Sequence, residues 1–262
     1  MMRRIAHPNA VLLIVLMGYG IGCAPEATVE PEAIAEPETV AEVDTVTALY
    51  LKGNEAFEAM EFEQALHHYD QALALDATRA EAYLGRGRVF WMSLQFDRAV
   101  HDLNRALERN PDLPWAYYFR GISLMNLRDF EHGIADLTKA IASETLPADF
   151  VVKARHFRAV GHMNLEQYDD AIADVSACID FEPDQPIYRY ERASLYEAVG
   201  RTADAITDYE SFLAIHEAAL AVHAEEMKNN EATATAEEVA FIRQRLEEVR
   251  QKLAVLRGDA SS

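Results

Sequence analysis

Two stretches align residue for residue without a gap, FRGISLMNLRDFEHGIADLTKA at Phe119–Ala140 and FRAVGHMNLEQYDDAIADVSAC at Phe157–Cys178. Working outward from them, 34-residue units fall at 46–79, 80–113, 114–147, 152–185 and 186–219, with a four-residue insert at 148–151. Position 8 of each unit is small (Gly53, Gly87, Gly121, Ala159, Ala193), and so is position 20 (Ala65, Ala99, Gly133, Ala171, Ala205). Position 27 holds Ala72, Ala106, Ala140 and Cys178. A bulky ring opens the second half of four units: Phe62, Phe96, Phe130, Tyr168. Small residues at fixed intervals let two helices approach closely, and Pro111 and Pro183 break the chain between units. With almost no strand pattern, the periodicity predicts an all-α chain of helix–turn–helix units.

A charged pattern runs in step with the small one. Position 7 reads Lys52, Arg86, Arg120, Arg158, Arg192, and position 23 reads His68, Asp102, Asp136, Asp174, Asp208. In an antiparallel hairpin these positions lie nearly opposite. Four ion pairs are therefore expected within units: Arg86–Asp102, Arg120–Asp136, Arg158–Asp174 and Arg192–Asp208. The guanidinium fork suits a carboxylate better than an ammonium does. The competing use, a row of arginines binding an acidic ligand, is disfavoured because each Arg already has a partner at fixed spacing.

The five units resemble the tetratricopeptide repeat (TPR) family. The second unit carries the resemblance best, with Tyr83, Gly87, Phe90, Phe96, Ala99, Ala106 and Asn110-Pro111. The fourth departs at Arg155 and His162, and the fifth at Thr202 and Phe212. The resemblance implies a right-handed solenoid whose first helices line an inner face that docks a protein or peptide partner. On that face it places Tyr50, Asn54, Phe57, Leu84, Arg88, Trp91, Met92, Trp115, Tyr118, Ile122, Met125, Asn126, His156, Met163, Asn164 and Tyr190. Both tryptophans of the chain are among them, and no acid is, in a chain of formal net charge −20. Rings and adaptable Met suit a peptide or helix groove. Two alternatives stand beside this reading: rings that serve only as core, and a groove filled by the chain's own C-terminal helix. Some TPR domains clamp the carboxylate end of chaperone tails with Lys and Asn. Here Asn54 alone matches, and Tyr50, Gly85, Trp115 and Phe119 replace the other groups, which argues against such a clamp.

The N-terminus reads as an export signal over 1–22, with Arg3 and Arg4 ahead of an apolar run of about a dozen residues, too short to span a bilayer. Gly20-Ile21-Gly22-Cys23 resembles a bacterial lipoprotein box, which implies acylation of Cys23 and a location on the bacterial envelope, outer-membrane or periplasm-facing. From 23 to 45 follows a spacer in which P-E-x-x-x-E is written three times, at 25–42. Recurrent proline and uncompensated acid predict an extended, solvated tether reaching ~70 Å at most. The membrane would be met through the lipid alone.

Beyond 219 the last repeat helix is expected to run on towards Met227, with a break near Asn229-Asn230. Thr235 and Glu238 form a capping box for a final helix over 236–257 within the 220–262 segment. Its apolar positions Val239, Ile242, Leu246, Val249, Leu253 and Leu256 make one seam. An end cap is the first reading of that seam, because arrays need one. The alternative is an assembly surface joining an envelope complex.

The acidic balance excludes a nucleic-acid surface. Two cysteines exclude a disulfide scaffold, and Cys178 in a small-residue position reads as a buried thiol. No phosphate loop, nucleophile elbow or His-Glu-x-x-His string is present. His216 and His223 are too far apart along a helix, about 10 Å, to share one metal. His67-His68 point apart, and Asp169-Asp170 read as a solvated turn. Neither catalysis, metal, cofactor nor small-molecule substrate is expected.

Overall fold

The computed structural model describes residues 45–229 and 235–258. The signal, Cys23 and the tether up to residue 44 lie outside the described residues. Among the described residues there are eleven α-helices and no strand. They are α1 (Thr45–Glu58), α2 (Phe62–Leu75), α3 (Ala80–Met92), α4 (Phe96–Arg109), α5 (Pro114–Asn126), α6 (Phe130–Ile141), α7 (Ala148–Asn164), α8 (Tyr168–Phe181), α9 (Pro186–Ala198), α10 (Thr202–Asn229) and α11 (Ala236–Arg257). Two compact units divide within α5: residues up to Phe119, and those from Arg120 on. The insert 148–151 is no loop; it forms the first turn of α7, which reaches 17 residues. No helix among the described residues is long and apolar enough to cross a membrane.

Each helix pair closes with the same turn. Gln95 N–H bonds the Phe90 carbonyl at 2.8 Å and Leu94 N–H bonds that of Trp91 at 3.0 Å, the double bond of a Schellman motif. The equivalents at Glu61, Asp129, Gln167 and Arg201 repeat it. The residue at its centre is left-handed every time: Met60 (φ 61°), Leu94 (57°), Arg128 (65°), Glu166 (59°) and Gly200 (77°). Only the fifth uses glycine.

In the first unit, α2 drives Tyr69 between α1 and α3. A Cβ added at Gly53 or Gly85 would stand 2.5 Å from that ring, so both glycines are required by its bulk. Burial raises the Tyr69 phenol well above its usual range, and its hydroxyl donates to Asn54 Oδ1 at 2.7 Å. In the second unit Met125 fills the room left by two glycines. Its Cε lies 2.9 Å from where a Cβ of Gly133 would be, and 2.7 Å from that of Gly161.

The four arginine–aspartate rungs are bidentate. Arg86 Nε and Nη2 donate to Asp102 at 2.6 and 2.9 Å, and Arg120 to Asp136 at 2.6 and 2.7 Å. Arg158 reaches Asp174 at 2.7 and 2.6 Å, and Arg192 reaches Asp208 at 2.7 and 2.8 Å. All four carboxylates are buried. The third guanidinium nitrogen adds something the spacing did not reveal. Nη1 of Arg86 binds Asp70 at 2.6 Å, that of Arg158 binds Thr138 at 2.9 Å, and that of Arg192 binds Ser176 at 2.9 Å. These partners stand on the second helix of the preceding repeat. Each such arginine thus fastens its own hairpin and the one before it, and is occupied by doing so.

Candidate functional site

Helices α1, α3 and α5 of the first unit bring a ring-and-arginine cluster together. Phe119 is its hub, with ring centroids 5.0 Å from Trp91 and 5.8 Å from Trp115, the latter nearly parallel at 21°. Tyr118 meets Trp115 edge-on at 5.9 Å. The Arg88 guanidinium lies 4.4 Å from the Phe57 ring and 5.7 Å from that of Phe119, a cation–π bracket across three helices. Phe119 is buried, whereas Phe57, Arg88, Trp91 and Trp115 are each half-buried, one side packed and one side in water. Leu84 and Met92 are half-buried as well, and Tyr50 tilts onto Tyr69 at 6.2 Å beneath Arg79. The Nε1 of Trp91 is shielded and has no hydrogen-bond partner among the described residues.

Several residues expected on this face do other work. Asn54 is held by the Tyr69 hydroxyl. Tyr118, Ile122, Met125 and His156 are no surface at all; each is exposed by 3% or less. For Met125 the cause is the pair of glycines it fills. For His156 it is Glu191, whose Oε2 lies 2.6 Å from Nε2 in the interior of the second unit. That pair has no counterpart in the repeat pattern, since Glu191 stands where the other repeats have Leu51, Gly85, Phe119 and Phe157. Asn126 and Asn164 donate to their own helices, at the Ile122 and Val160 carbonyls. Met163 packs against the core of the second unit.

Tyr190 is claimed by the C-terminal helix. The Arg245 guanidinium lies 4.6 Å from its ring centroid, and its other contacts are Tyr209 at 5.7 Å and Phe212 at 5.5 Å. Lys252 of α11 donates to Glu197 at 2.8 Å and to the Tyr209 hydroxyl at 2.9 Å. Tyr209 in turn donates to Glu197. Burial chiefly pushes the Tyr209 phenol up to about 12. Leu246, Val249 and Leu253 are buried in the same cluster. The seam of α11 is spent on the fifth repeat, and the Thr235–Glu238 capping box starts the helix.

Phe119, the hub of the cluster, is not among the residues expected on the inner face. The signal available was Phe157, the ring at the same place one repeat later. Among the described residues no group of three His, Cys, Asp or Glu is placed to hold a metal. Cys178 is buried, its thiol 3.5 Å from the Val152 carbonyl and pushed up to about 12 by burial.

Family models for the TPR repeat and the tetratricopeptide repeat match residues 53–93 and 158–221. The chain has the TPR fold. A crystal structure of YrrB, described as a TPR protein with an unusual peptide-binding site, superposes with a TM-score of 0.59 at 23% identity, covering 68% of this chain and 90% of that one. A MamA crystal structure superposes at 0.61 and 19% identity, covering 73% and 99%. No curated protein matches by sequence. These TPR likenesses fix the fold and leave the function to the chain's own residues.

Proposed function

We propose that the protein is a non-catalytic protein–protein interaction scaffold that docks a peptide or helix on the first unit. The observation that carries this is the half-exposed cluster of Phe57, Arg88, Trp91 and Trp115 around Phe119. Three helices hold rigid rings with one side dry and one side wet, the arrangement in which few residues supply most of the binding energy. That a TPR structure of the same fold is described as peptide-binding is in keeping with it. The second unit is the poorer candidate, since Ile122, Met125 and His156 are buried and Tyr190 is covered by α11. The signal and the lipoprotein-type box support an envelope location with Cys23 as anchor. The alternative of assembly through the C-terminal helix has less support, because the seam it needs is buried against the fifth repeat.

The test is partner retention on the immobilised chain. Trp115→Ala should weaken it about tenfold or more while helical content and melting temperature stay near those of the parent. Loss of fold, or retention unchanged, would reject the reading.

A further inference from the structure

Resting on that reading, we infer that Arg88 is the positioning residue of the docking face: its guanidinium, already engaged by the rings, holds them open and keeps one side of the cluster in water. Two observations carry this. The first is the geometry. The guanidinium of α3 stacks between Phe57 of α1 at 4.4 Å and Phe119 of α5 at 5.7 Å. Phe119 in turn meets Trp91 and Trp115. One side chain therefore bears on all four rings, two directly and two through Phe119. The second is what stands at the same place in the other repeats. Position 9 of the units reads Asn54, Arg88, Ile122, Val160 and Ser194. In the first and fifth it is a small polar group held by a tyrosine: the Tyr69 hydroxyl donates to Asn54 at 2.7 Å, and Ser194 Oγ lies 3.1 Å from the Tyr209 hydroxyl. In the third and fourth it is aliphatic and buried, Ile122 at 0% and Val160 at 7% exposure, and Tyr118 and Met125 on the helix of Ile122 are closed into core with it. Only the second repeat places a permanent cation there, and around it Phe57, Trp91 and Trp115 stay half exposed.

A guanidinium keeps its charge at any pH the protein meets and gives up its hydration only at heavy cost. It can lie flat on an aromatic face with its edges in water, but it cannot follow the rings into a dry core. An aliphatic side chain at that position has no such limit, and the third repeat shows the result. Arg88 thus exchanges packing for accessibility. The surface a partner meets is ring and aliphatic, with the cation already stacked, so apolar side chains and not a carboxylate make the central contacts.

Both tryptophans of the chain stand in the face, so their emission reads whether it is open, with no partner needed. The full chain is compared with Arg88→Leu, which installs the kind of side chain the third and fourth repeats carry, and with Arg88→Lys, which keeps the charge. Arg88→Leu should move emission to shorter wavelength and reduce quenching by acrylamide, while the melting temperature stays at or above that of the parent. Arg88→Lys should leave emission and quenching near those of the parent. A fall in melting temperature in Arg88→Leu, the mark of a merely structural role, overturns the inference. So does emission and quenching unchanged in Arg88→Leu, or Arg88→Lys behaving as Arg88→Leu does. Each of these failures leaves the docking reading intact, since that stands on Trp115→Ala and partner retention, and failure of that reading leaves the optical result in place.

Discussion

Asp174 shows what one buried carboxylate does in this chain. Arg158 binds it twice, and Arg155 adds a third contact at 3.4 Å. Asp174→Ala strands charge in a buried setting and should lower unfolding free energy by about 3–5 kcal/mol, read by urea denaturation. A loss under 1 kcal/mol would mean the rung is ornamental. Leu94 makes the opposite case. It is left-handed and 60% exposed, so its side chain strains the turn and gains little burial. Leu94→Gly should raise stability by about 0.5–1 kcal/mol, because relief of the left-handed penalty exceeds the added chain entropy. A drop in melting temperature would refute that. The rungs were legible in the sequence because two residue types recur sixteen apart. The turns were not: Met60, Leu94, Arg128 and Glu166 are no turn formers, and only the hydrogen bonds on either side hold them there.

At the scale of the element, α10 and α11 act as a pair. His216 on α10 sits against Phe212, ring centroids 4.4 Å apart, and its Nδ1 bonds the Phe212 carbonyl at 3.2 Å. Burial lowers its pKa below the ordinary 6.5, with the carbonyl bond partly opposing. The folded chain thus prefers the neutral ring. The stability this contributes is present above pH 6.5 and is lost as pH falls through the lower folded value. Melting temperature should therefore decline between pH 7 and 5, and His216→Gln should flatten that decline; an equal slope in both proteins would exclude His216 as the cause. The start of α11 could be read from Thr235 and Glu238, and its seam from the apolar spacing. What it covers could not. Tyr190 belongs by period to the same row as Tyr50, and nothing in one repeat announces that Arg245 of a later helix will take its ring.

For the molecule as a whole, the proposed roles separate along the chain. The first unit keeps its rings half wet, the second turns Ile122, Met125 and His156 into core, and the sequence ahead of both reads as address and spacer. Cys23 and Cys178 allow that address to be tested by difference. Fatty-acid label supplied during expression should enter the full chain, vanish with Cys23→Ser and persist with Cys178→Ser, whose thiol is enclosed. Label surviving Cys23→Ser would remove the anchor from the scheme. The fold was legible because five periods agree on several residue types at once. The candidate face was legible only in part, because facing inward by period does not distinguish a ring that packs from one that stays half exposed.

Glu197 carries a last implication. It occupies the place of Phe57, Trp91, Met125 and Met163 in the other repeats, and it is the residue that receives Lys252 of α11. A modular stack has no inherent length, and here the instruction to stop is a carboxylate written into the final module together with the lysine that answers it. Moved to the middle of such a stack, that module would bring an acid to a place where the other repeats carry an apolar side chain, without the lysine that answers it. The order of the modules is consequently not interchangeable, since the fifth alone carries the carboxylate that α11 answers.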